Sequence, residues 1–149
     1  MLAFMGNIIE YFIANNNDEA ASAIDLVKVP VLGKPAINAP DSMDPALAIG
    51  SLYSLLAGET LETLLKSNEW LELLIRSSNG ESFVVKLSDN FVETMKSFSF
   101  RDSGDILDDW LSINEIRNTR DQSLAFLREL KKLCDIISPQ EHLYCRTSL

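Results

Sequence analysis

Asn79-Gly80 is the residue pair that most limits the folds open to this chain. Both residues tolerate a positive φ, as a two-residue hairpin turn requires, and the pair is flanked by Leu71–Arg76 and by Phe83–Leu87 with its Phe-Val-Val run. Trp70 to Ile75 would also fit the continuation of a helix, but the turn signal favours a strand. With Asn79 and Gly80 at the turn centre, Ile75 is expected opposite Val84 and Leu73 opposite Lys86. Both strands are apolar on more than one face, so helices and neighbouring strands are expected to cover them.

A lone hairpin is marginally stable in water, so further strands are needed. Ile8 to Ala14, rich in branched and aromatic residues, is one candidate, and His142 to Leu149 is another. Pairing these two would tie both terminal segments into the sheet. Pro30, Pro35 and Pro40 forbid a helix between Pro30 and Asp44, which reads as an extended crossing segment within one domain.

The remaining segments read as short helices. Asn17 or Asp18 caps one that runs to about Val27, with Ala20, Ala23, Ile24 and Val27 as its stripe. Asp44-Pro45 is a cap followed by a proline at the first helical position. Leu47, Ile49, Leu52, Leu55 and Leu56 form the stripe behind it, and Gly58 closes it. Thr60 caps the next, with Leu61, Leu64 and Leu65 inward and Glu62 and Lys66 paired outside. Ser88 or Asp89 opens a helix that buries Phe91, Val92, Met95 and Phe98. Asp102 to Ile116 buries Ile106, Leu107, Trp110, Leu111 and Ile113. Asp121 to Ile137 has the longest stripe, from Leu124 through Cys134 to Ile137, and Pro139 stops it. The expected fold is α+β: one domain over residues 1–149, with a small mixed or antiparallel sheet of about four strands and five or six short helices packed on it.

At 149 residues the chain is long enough to bury a core without disulfides or metals. Its two cysteines, Cys134 and Cys145, form no metal-binding or scaffold pattern, which suits a reducing, cytoplasmic setting. No charged leader with an apolar run follows Met1, and no apolar stretch approaches membrane-spanning length. The net charge of −9, with no basic stripe, disfavours nucleic acid as a partner.

Catalytic motifs are sparse. His142 is the one histidine in the sequence, and it lies three residues before Cys145. On a strand that odd spacing sends the two side chains to opposite faces, so no Cys–His dyad is expected. Cys134 falls on an apolar helical stripe and reads as core. No phosphate-cradling loop, nucleophile elbow or zinc spacing is present, and no cofactor is implied.

The most distinctive charged feature is Asp102, Asp105, Asp108 and Asp109 near the start of a helix, where acids suit the helix dipole. The reading that best fits an acidic chain without a catalytic constellation is a non-enzymatic protein-binding module. It would be of inhibitor, antitoxin-like or immunity-like kind and would serve a basic protein partner, with those four aspartates as the interaction face. One alternative is a small carboxylate enzyme with a divalent metal, in which Asp102, Asp105 or Asp109 would meet Glu10 or Asp44. Another is an accessory subunit or homodimer that pairs through an apolar sheet face.

Overall fold

A computed structural model describes residues 8–25, 33–67, 69–113 and 117–149. Val27 and Ile116, assigned to helices from the sequence, lie outside the described residues. The strands are β1 (Ile8–Ala14), β2 (Ala36–Ala39), β3 (Leu71–Arg76), β4 (Ser82–Leu87) and β5 (His142–Ser148). The helices are α1 (Asn17–Ala21), α2 (Gly50–Ala57), α3 (Leu61–Lys66), α4 (Asp89–Ser97), α5 (Gly104–Leu111) and α6 (Arg120–Asp135). The fold is α+β, built on one antiparallel sheet of five strands in the order β2-β1-β5-β4-β3.

The fifth strand is β2, inside the proline-rich segment read as a plain crossing. Ala36 to Ala39 pair with Phe12 to Ile9, and the flanking Pro35, which has no N–H to give, continues the pairing only as an acceptor, from the Ile13 N–H at 3.2 Å. The two terminal strands are neighbours, in unbroken register from Ile8↔Ser148 to Ala14↔His142. β5 also pairs with β4, from Ser82↔Ser148 to Lys86↔Tyr144, and so lies at the centre of the sheet.

The hairpin forms with Ile75 opposite Val84, as the turn predicts, but Leu73 faces Val85 and Glu72 faces Lys86. A bulge between Leu73 and Ile75 takes up one extra residue and shifts the register. The turn is also wider than two residues. The Ser77 N–H donates to the Ser82 carbonyl at 2.8 Å and the Gly80 N–H to the Ser77 carbonyl at 2.9 Å, with Gly80 at φ 74°. The Asn79 side chain accepts from the Glu81 N–H at 3.0 Å, supplying a local bond that a two-residue turn lacks.

Strand alternation divides the sheet into two faces. Ile9, Tyr11, Ile13, Val85, Leu87, Leu143 and Cys145 point into the main core. Ile49 and Leu52, Phe91 and Met95, Leu107 and Trp110, and Phe126 to Cys134 close that core from the helical side. Two long-range bonds pin the layers. The Tyr11 hydroxyl donates to the Met43 carbonyl at 2.7 Å, and the Trp110 indole N–H to the Ala48 carbonyl at 2.8 Å.

Caps set the helix starts. The Ser88 hydroxyl accepts from Asn90 N–H, and Thr119 forms a capping box with Gln122, starting α6 one residue earlier than the stripe implies. α1 is capped by Asn16 rather than Asn17 or Asp18, and it ends at Ala21, passing into a tighter turn over Ser22–Asp25. α5 is shorter than its stripe: Leu107 and Trp110 are buried, while Ile106, Leu111 and Ile113 are half-buried. Leu65, expected inside, is exposed.

The second face carries a smaller cluster, in which Phe12, Ala14, Val84 and Tyr144 lie beneath Ala20 and Ala23. Beside it, Glu10 and Arg146 are cross-strand neighbours, each only 4% exposed. The Arg146 Nε and Nη2 groups donate to Glu10 Oε1 at 2.9 and 2.5 Å, and Nη1 donates to the Ala23 carbonyl at 2.8 Å. Removing two such charges from water costs several kcal/mol each, which their mutual attraction and the extra bond must offset. Glu10→Gln would leave a buried guanidinium without its counter-charge. Chemical denaturation should show a loss of about 3 kcal/mol, and Glu10→Gln combined with Arg146→Met should lose less than the sum of the two single changes.

Candidate functional site

The helical layer does not reach the end of the sheet where β3 and β4 meet the last residues of the chain. A groove of about 540 Å³ remains there. Leu71, Phe83 and Val85 form its floor, Leu149 stands at one side, and the segment from Asp41 to Leu47 forms the facing wall with Arg117 on the rim. The odd positions of β4, which point to the helical face, supply the floor. The Leu149 N–H donates to the Glu81 carbonyl at 2.8 Å, fixing that side.

The wall is shaped by an unusual turn. Pro45–Ile49 is a π-turn, wider than an α-turn, that leads directly into α2. Asp44 caps it, its carboxylate accepting from Leu47 N–H at 2.8 Å and Ala48 N–H at 3.2 Å. Such turns are rare and concentrate at functional sites. Here the extra width turns Leu47, expected on the buried stripe, outward to 42% exposure. The Ser42 hydroxyl accepts from Arg117 N–H at 3.2 Å and donates to the Asn118 side chain, so the rim is tied to the wall.

Six large apolar side chains are exposed among the described residues, and two of them line this groove: Leu47 and Leu149, the latter at 67%. A third, Leu73 at 51%, does not line it but sits on β3 directly opposite the floor residue Val85. Single exposed leucines are ordinary; two lining one apolar groove, with a third beside its floor, are not scattered singly.

A polar cluster occupies the second face. His142 Nδ1 lies 2.8 Å from Asp89 Oδ1, and Lys86 Nζ lies 3.3 Å from Asp89 Oδ2. The Tyr144 hydroxyl donates to Asn17 Oδ1 at 3.0 Å. A shallow depression beside them is lined by Asn15 to Asp18, Glu72, Lys86 and His142. Partial burial pushes the Asp89 carboxyl up, but the bond with His142 and the Lys86 charge outweigh it and hold the group below its ordinary value. Burial drives the Tyr144 hydroxyl well up. The His142–Asp89 pair spans 53 residues and joins the start of α4 to β5; sequence spacing gave no sign of it. The arrangement orients the imidazole, and no serine, threonine or cysteine lines the depression to act as a nucleophile.

His142 and Cys145 lie on opposite faces of β5, so they form no dyad. Cys145 is fully buried against Tyr11 and Thr147, and burial raises its pKa strongly. Burial likewise pushes Cys134 up to about 12.

Asp102, Asp105, Asp108 and Asp109 are all exposed, but only Asp105 lies in the first turn of α5; Asp102 precedes the helix, and Asp108 and Asp109 fall in its second half, away from the positive end of its dipole. Asp108 pairs with Arg120 at 3.1 Å. Asp102 borders a depression with Leu56, at the far end of α2 from Leu47, so the acidic face and the groove are separate. Glu10 is engaged with Arg146 and Asp44 with its helix cap, and among the described residues no three acidic, histidine or cysteine side chains gather as metal ligands. No described helix is long and apolar enough to cross a membrane. No protein family matches the chain, and neither the curated proteins nor the solved structures include a similar one.

Two measurements check this description. Because its folded pKa is lowered, Asp89 contributes stability above the unfolded carboxyl value near 4, and the contribution disappears as pH falls through the folded value. Asp89→Asn should therefore destabilise the protein at pH 7 by under about 1 kcal/mol, a small figure because the group is half exposed, and the difference from wild type should shrink progressively as an acid denaturation series is taken below the unfolded carboxyl value. In a thiol titration, neither Cys134 nor Cys145 should react in native buffer, and both should react at once in denaturant.

Proposed function

We propose that this protein is a non-enzymatic protein-binding module whose groove docks an apolar segment of a basic partner. The observation that carries the reading is the pair of exposed leucines, Leu47 and Leu149, that line a groove with an apolar floor of Leu71, Phe83 and Val85. An apolar core bordered by polar groups such as Asp41 and Arg117 is the usual anatomy of a protein interface. The charge of −9 supplies long-range attraction for a basic surface and repels polyanions. The exposed aspartates Asp102, Asp105 and Asp109 add to that field from another side and serve encounter rather than docking. Inhibitors, antitoxins and immunity proteins are modules of this kind, and free, buried cysteines suit a reducing cytoplasm.

The test is affinity capture from the native lysate with three proteins: wild type, Leu47→Glu with Leu149→Glu, and Asp102→Asn with Asp105→Asn and Asp109→Asn. All five side chains are exposed, so melting temperatures should agree within about 3 °C. A basic partner should be retained by wild type, lost by the groove variant at any salt, and held by the aspartate variant with reduced salt sensitivity. Capture of the same proteins by wild type and groove variant would overturn the reading. A mass that doubles with concentration in light scattering, and not for the groove variant, would instead make a second copy of the chain the occupant.

A further inference from the structure

A smaller pocket, of about 290 Å³, opens beside the start of β3. It shares no lining residue with the groove. Tyr53 of α2 and Trp70, just before β3, form its aromatic side. Glu59 and Glu69, from the turns on either side of α3, bring two carboxylates to it, and no lysine or arginine lines it.

The aromatic side is rigid. The Tyr53 ring centroid is 5.1 Å from that of Trp70 and 5.4 Å from that of Phe91, and Trp70 and Phe91 meet edge-on at 5.2 Å. Trp70 and Phe91 are buried, so Tyr53, the half-buried member, is the ring the pocket presents, and its neighbours prevent it from turning away. The backbone under each carboxylate is also pinned. The Glu59 N–H donates to the Ser54 carbonyl at 3.0 Å, directly after Gly58 at φ 71°, and the Glu69 N–H donates to Ser67 Oγ at 3.0 Å. Neither carboxylate belongs to an ion pair among the described residues.

A fixed aromatic ring attracts a cation through the negative potential of its face, and two unpaired carboxylates deepen that potential. Small inorganic cations favour several carboxylate oxygens in a close shell, and among the described residues no three acidic, histidine or cysteine side chains gather. An alkylated ammonium group has no such need. Its methyl groups pack on the ring, its charge is spread over them, and little hydration is lost on entry. The volume suits a head group rather than a large ligand. We propose that this pocket binds a substituted ammonium group, with Tyr53 as the aromatic wall and Glu59 and Glu69 as the counter-charges.

The experiment is a nitrogen-edited NMR titration of the full chain with choline, its uncharged carbon isostere dimethylbutanol, and acetyl-trimethyllysine amide. The Trp70 indole, which lines the pocket and whose N–H has no acceptor among the described residues, reports binding, and the Trp110 indole, bound to the Ala48 carbonyl, serves as the control. Choline or the trimethyllysine derivative should give a saturable shift at Trp70 and at the Glu59 and Glu69 amides, with Trp110 unmoved. Dimethylbutanol should bind at least about tenfold more weakly. Glu59→Gln with Glu69→Gln should weaken the cation by about five- to tenfold without lowering the melting temperature. Tyr53→Phe should retain binding and Tyr53→Leu should lose it; if the latter fails to fold, the exposed glutamate pair carries the test. Tighter binding of trimethyllysine points to a modified side chain as the source, and tighter choline to a free ligand. No saturable shift with either cation, or equal binding of dimethylbutanol, would overturn the proposal. Neither result depends on whether the groove docks a partner.

Discussion

The sheet is held together by β5. It hydrogen-bonds β1 on one side and β4 on the other, so without it the β1–β2 pair and the β3–β4 hairpin are two unconnected pieces. The main core spans both pieces: α6 packs on β1 and β2, and α4 packs on β5 and α6. Both faces of β5 are also occupied: Leu143 and Cys145 enter the helical core, and Tyr144 and Arg146 enter the second-face cluster. A strand buried on both sides and paired along both edges has no freedom of register, because a one-residue slip would send Arg146 into the apolar core.

Arg146 and Glu10 reinforce that register. A buried ion pair is a weak source of stability but a strong source of uniqueness where its geometry is met in one arrangement alone. The guanidinium bridges β1 and the turn after α1 through the Ala23 carbonyl. The thin cover over the second face, made largely of Ala20 and Ala23, is therefore anchored by a charged side chain from beneath as well as by its small apolar contacts.

Elements whose causes are local were legible in the sequence. α4 has its cap in Ser88 and α6 has an unbroken apolar stripe, and both helices fall within two residues of their expected bounds, although the Thr119 capping box that starts α6 was not read. The turn at Asn79-Gly80 placed Ile75 against Val84 correctly. β2 escaped because four small or short residues between prolines carry no strand pattern; the unpaired edge of β1 is what orders them. The bulge in β3 escaped because no glycine or proline marks it. The groove was illegible for a deeper reason. Its floor, wall and rim come from five separate stretches of chain, and Leu47 belongs to it because a π-turn rotates that side chain away from the stripe its spacing implied. The Tyr53 pocket likewise draws on α2, both turns around α3 and the start of α4.

The central place of β5 has a consequence for synthesis. During translation, residues 8–141 leave the ribosome before the strand that joins them, so β1 and β4 each present an unsatisfied edge to their surroundings for as long as the ribosome takes to reach His142. At roughly 5–20 residues per second, that is several seconds after β1 has emerged. In that interval the helices can form locally, but the two sheet fragments must be kept apart from other chains. The acidity of the sequence, through repulsion between like-charged nascent copies, protects them before any partner is met.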